Sequence, residues 1–140
     1  MRQFLLIAFL LQCTYSFAQP RVTVYAGSSI STGNWYRGDG GPATGPFSTT
    51  SALLGSAQYM AMDSANNLYV VENAADVIRK IDFKTKIISR FAGLAPAANA
   101  NGVFTPVSTF TFSGDGGLAT NASLARPNAI AIDKKRNLLY

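Results

Sequence analysis

Histidine is absent from this 140-residue sequence, and cysteine occurs once, at Cys13. Without histidine the chain has no Ser-His-Asp triad, no histidine-ligated zinc site and no imidazole base. Acidic residues are few: Asp39, Asp63, Glu72, Asp76, Asp82, Asp115 and Asp133. A membrane-length apolar run is missing as well. Residues 4–11 (FLLIAFLL) are continuously apolar, far short of the roughly 20 positions that a spanning helix needs. That run follows Arg2 and precedes the small residues Ser16 and Ala18, the arrangement of an export signal. We therefore expect residues 1–18 to be a signal peptide cleaved before Gln19. The destination would be the cell envelope or the medium, and the chain would have no membrane span. Cys13 leaves with the signal, so the mature chain has neither disulfide nor thiolate. Lipid attachment at Cys13 is the other reading, but Gln12 stands where a small residue is expected.

Positive charge is in modest excess, with 12 Lys and Arg against seven Asp and Glu. Arg79, Lys80, Lys84, Lys86 and Arg90 surround one expected hairpin, and Lys134, Lys135 and Arg136 share one turn. These read as solvated turns and edge strands guarded by lysine. With export expected, nucleic acid is not an expected partner.

What the chain does have is a likeness to itself. Met60-Ala61-Met62-Asp63 returns as Ile130-Ala131-Ile132-Asp133, and Asn67-Leu68 as Asn137-Leu138, both 70 positions later. Residues 22–27 (VTVYAG) return as residues 88–93 (ISRFAG), 66 positions later. Gly38-Asp39-Gly40-Gly41 recurs as Gly114-Asp115-Gly116-Gly117, each followed by x-Ala-Thr. Landmarks that keep their order while spacing drifts mark duplicated structural units.

The unit reads as β-structure. Residues 59–63, 68–71, 77–83 and 87–92 are short apolar strands separated by polar turns, the last turn being Asp-Phe-Lys-Thr-Lys at 82–86. The expected fold is all-β, with four-stranded antiparallel meanders. Runs such as YMAM, LYVV and AIAI place apolar side chains on both faces, so both faces should be covered. Stacking meanders radially, as in a β-propeller, achieves this.

The phrase AMDSANNLYVVENAADVIRKID, then IISRFAG and FSGDGGLATNASLARPNAIAID, resembles the NHL repeat of bacterial extracellular proteins. The likeness covers nearly all of residues 21–140. It implies a propeller, most often six-bladed, that serves as a rigid binding ring. On that basis residues 19–140 hold about one complete blade and parts of two others. The propeller is incomplete at the C-terminus, and residues 22–26 form a closing strand. Three departures fall in loops: Ala75-Asp76 replaces the family's Asn-His, residues 38–54 are longer than 114–124, and residues 95–111 are inserted.

Asp63 and Asp133 end equivalent strands and are read as turn acceptors. The two GDGG segments are read as turns in which glycine supplies positive φ and aspartate caps backbone N–H groups. They lack the following helix and Lys-Ser/Thr of a phosphate loop, and the spaced oxygen ligands of an EF-hand. Trp35, Tyr36 and Arg37 are the candidate ligand contacts, being the residue types that dominate binding hot spots. No catalytic residue, metal ligand or cofactor site is assigned. The expected function is a non-enzymatic binding or scaffold module for protein or carbohydrate. The alternative is a six-bladed propeller enzyme, lactonase-like or amidating-lyase-like, with its catalytic residues in further blades.

Overall fold

The computed structural model describes residues 23–27, 36–45, 52–98, 104–105 and 111–140. The expected signal peptide and Trp35 lie outside these residues. The described elements are strands, with two short 3-10 turns, Asn73–Ala75 and Ala119–Asn121. No described helix is long and apolar enough to cross a membrane.

The centre is one four-stranded antiparallel sheet in the order β1 (Ala57–Met62), β2 (Leu68–Glu72), β3 (Val77–Ile81), β4 (Ile88–Ala92). Its register pairs Met62 with Leu68, Val70 with Arg79, and Ile81 with Ile88. This is the meander that the four apolar runs predict. Each hairpin is tied locally. Asp63 organises the first turn, where Asn66 takes a φ of 65°. In the third, the Asp82 carboxylate accepts from the Lys84 and Thr85 amides at 3.0 and 2.8 Å.

Strand side chains alternate in direction, so the sheet has two cores. On one face Val70, Ile81 and Ile88 pack with Ala43 and Ala52, and with Ala26 and Leu54 at the margin. These covering residues precede the sheet in sequence. On the other face Tyr69, Val71, Ile78 and Ala92 pack with Phe91, Leu124, Ile130, Ile132 and Leu139, most of which follow it. Ile132 and Leu139 belong to a short hairpin, β7 (Ile132–Asp133) with β8 (Leu138–Leu139). The Tyr69 and Phe91 rings meet edge to face at 4.9 Å. The central strands are thus covered on both sides, by Ala26, Ala43, Ala52 and Leu54 on one and by residues from 124–139 on the other.

Three expectations need correction. The YMAM strand is not covered on both faces: Tyr59, Met60 and Met62 are 53%, 66% and 44% exposed. β1 is an edge strand of this sheet, and the covering residues reach only β2 to β4. Residues 23–27 form no strand, although the Gly27 amide donates to Ala43 O at 2.8 Å. Finally, Arg79 is no solvated edge residue but is fully buried. Register puts it on the same face as Val77 and Ile81, beneath the connector of residues 36–45. The inserted stretch 95–111 contributes a small hairpin, β5 (Ala97–Ala98) with β6 (Phe104–Thr105).

Gly93 closes the sheet and shows why glycine is required there. Its φ is +94°, and a Cβ would lie 2.4 Å from Asp76 O and 2.9 Å from Val77 Cα.

Candidate functional site

The densest polar constellation surrounds the guanidinium of Arg79. It lies at the middle of β3, where Val77 and Ile81 flank it on the inward face. Its Nε donates to Asp39 Oδ1 at 3.0 Å, and its Nη2 lies 2.9 Å from the same oxygen. Nη2 also donates to Arg37 O at 3.0 Å, and Nη1 to Leu53 O at 2.9 Å. Nη1 further meets Glu72 Oε1 at 3.4 Å. The Tyr36 ring covers the guanidinium at 4.8 Å, and its hydroxyl donates to Asp39 Oδ2. One arginine therefore gathers two carboxylates, two carbonyls and an aromatic face, which its planar fork of donors suits.

The connector is shaped to be caught. Gly38 and Gly40 have φ values of 87° and 80°, and the Gly41 amide donates to Gly38 O at 3.1 Å. Positive φ at the third turn position is the mark of a type II turn. This geometry aims Asp39 at the sheet. The Gly40 amide then bonds Ile88 O, and the Ile88 amide bonds Gly41 O. The aspartate role expected from sequence is corrected in its partners: Asp39 binds the side chains of Tyr36 and Arg79. Tyr36 itself is 5% exposed and packs with Ala75 and Val77. Of the candidate contacts Tyr36 and Arg37, the first gives its ring to Arg79 and the second its carbonyl.

Electrostatics follow from one cation facing two carboxylates. Burial pushes the Glu72 carboxyl up to about 7; Arg79 and the Gly55 amide oppose this, while Asp39 adds to it. The Gly55 amide donates to Glu72 Oε2 at 2.8 Å. The Tyr36 hydroxyl is raised by burial and by its bond to Asp39.

Asp63 has a second, smaller network. Its carboxylate accepts from the Ala65 amide at 2.9 Å, the Asn67 amide at 2.8 Å and Asn67 Nδ2 at 2.9 Å. Tyr69 OH adds a longer contact at 3.3 Å. Burial would raise this carboxyl, but the bonds from Asn67, Ala65 and Tyr69 outweigh it and hold it below the usual value. Asp133 repeats the pattern with the amides of Lys135 and Arg136, at 2.9 and 3.1 Å. A cleft lined by Asp63, Tyr69, Phe91, Asn137 and Leu138 lies between the sheet and the β7–β8 hairpin. Among the described residues no three acidic, histidine or cysteine side chains gather as metal ligands do.

Compared with known proteins, the chain matches no family model, no curated protein and no solved structure.

Sequence reasoning missed the pairing of Arg79 with Asp39 and Glu72. The signal was there: alternation places Arg79 between Val77 and Ile81 on one face, where a lone charge requires a buried partner.

Proposed function

We propose that the chain is part of an exported NHL-type β-propeller that acts as a non-enzymatic binding or scaffold module for protein or carbohydrate. The observation that carries this reading is how the repeated landmarks pack. The start of the second unit, at Ile130, Ile132 and Leu139, lies against the face of the first at Tyr69, Val71 and Ile78. Consecutive meanders stacked face to face are the building principle of a propeller. Each unit covers the next, which gives a stiff frame whose loops are free to vary. The test is a pull-down and glycan-array screen with the secreted protein, run beside hydrolysis assays on ester and lactone substrates. A specific, saturable partner without turnover is the expected result. Turnover with no partner would overturn the reading.

A further inference from the structure

The two GDGG connectors share their turn geometry and differ in their surroundings. In the second, Gly114 and Gly116 have φ values of 93° and 80°, and the Gly117 amide donates to Gly114 O at 3.1 Å. Ser113 bridges Ser123 as Arg37 bridges Leu53. The Gly93 amide donates to Ala119 O at 3.0 Å, as Gly27 does to Ala43 O at 2.8 Å. Arg126 takes a φ of 47° where Ser56 takes 54°. The acceptors that hold Arg79 in the first connector are Asp39, Arg37 O and Leu53 O. Their counterparts are Asp115, Ser113 O and Ser123 O.

The first set is covered by β3; in the second, Asp115 and Ser113 are exposed and Ser123 is buried. Phe112, the counterpart of Tyr36, is 80% exposed, and Leu118, the counterpart of Pro42, is 70% exposed. Asp115 is exposed and has no salt-bridge partner among the described residues. Strand β8 pairs with β7 alone, whereas its counterpart β2 pairs with β1 and β3.

We infer that the connector at residues 112–124 is a receptor for an arginine-centred β-strand. That strand would pair with β8 as β3 pairs with β2 and seat its guanidinium on Asp115, Ser113 O and Ser123 O. The inference rests on the stacked-repeat reading above and names the partner chemistry: an apolar strand of the VIRKI kind, from polypeptide that continues the repeat. A second folded copy of this chain is a poor donor, because its own Arg79 is fully buried in the first clasp. Burying Phe112 and Leu118 would supply the apolar contact, and the carboxylate would fix the register.

The experiment titrates a fluorescent peptide with the sequence of residues 71–93 into the full chain and follows anisotropy. Saturable binding is expected, weakened at least tenfold by Arg79→Met in the peptide or by Asp115→Asn in the chain. Asp115 is exposed, so its replacement leaves the fold intact. No binding, or binding indifferent to both substitutions, overturns the inference. So does a dimer of the chain alone, seen by sedimentation and abolished by Asp115→Asn, which would assign the surface to a second copy. Leu139→Asp separates the two readings. If it leaves stability unchanged, the stacked-repeat reading fails; if it destabilises the chain while the peptide does not bind, only the receptor fails.

Discussion

Replacing Glu72 with glutamine is expected to abolish a loss of stability that the native chain suffers between pH 4.5 and pH 7. Glu72 is fully buried, and its carboxyl is raised from 4.5 to about 7 because desolvation outweighs Arg79 and the Gly55 amide. In the unfolded chain the group ionises near its ordinary value, so between the two pH values the folded state holds a proton that the unfolded state has released. For an acid raised in this way, stability is fully present below about 4.5 and falls as pH climbs towards 7. Above that the contribution is flat. The gap of about 2.5 units is worth about 3 kcal/mol at most. The clasp holds one guanidinium and two carboxylates, so protonating Glu72 leaves a neutral set with Asp39. Urea midpoints measured every half pH unit from 4.5 to 8 test this, urea being uncharged and so leaving the ion pairs unscreened. Glu72→Gln should unfold at nearly the same urea concentration across that range, and at pH 8 at a higher concentration than the native chain. A native midpoint that is flat, or that rises with pH, would refute the reasoning. So would a glutamine variant with the native slope.

Other outcomes follow from the same contacts. Arg79→Met should cost about 3 kcal/mol or more, since it strands Glu72 and Asp39 and frees two carbonyls; urea midpoints at pH 7 measure it. Gly93→Ala should cost about 2 kcal/mol or more, because its Cβ would collide with Asp76 O, whereas Gly40→Ala, with open space around it, should cost about 1 kcal/mol. Thermal melts of the two variants check the ordering. Asp63→Ala should cost about 2 kcal/mol by removing the acceptor of the Ala65, Asn67 and Tyr69 donors. Its loss should also return the Tyr69 hydroxyl, now raised by burial and by Asp63, towards its ordinary value, which an ultraviolet titration would detect.

Much of the sheet was legible because its information is local. Apolar runs broken by Ser-Ala-Asn-Asn and Asp-Phe-Lys-Thr-Lys place four strands within one or two residues of those observed, since turn chemistry and period-two alternation act over a few positions. Asp63 was legible for the same reason, its donors lying within six residues. The clasp was not. Asp39 and Arg79 are 40 positions apart, and nothing near either one specifies the other. A basic residue in a strand was assigned to solvent by composition, and only its parity with Val77 and Ile81 argues otherwise. The exposure of β1 was equally hidden, because an apolar run does not say whether a neighbour arrives to cover it.

The clasp also has a consequence for where this chain can be divided. Asp39 lies before the sheet that its arginine belongs to, and Asp115 lies after that sheet. The segment that folds as a sheet and the segment that is locked as a unit are therefore out of phase, like roof tiles whose nails pass through the tile below. A cut just before β1, the obvious place for a fragment or a fusion, separates the Arg79 guanidinium from Asp39 and leaves a buried charge on one side. A cut within residues 95–111 falls beyond β4 and before the second turn, and so severs none of the Arg79 contacts. Swapped or shuffled units should tolerate junctions there and fail at the visually natural seam.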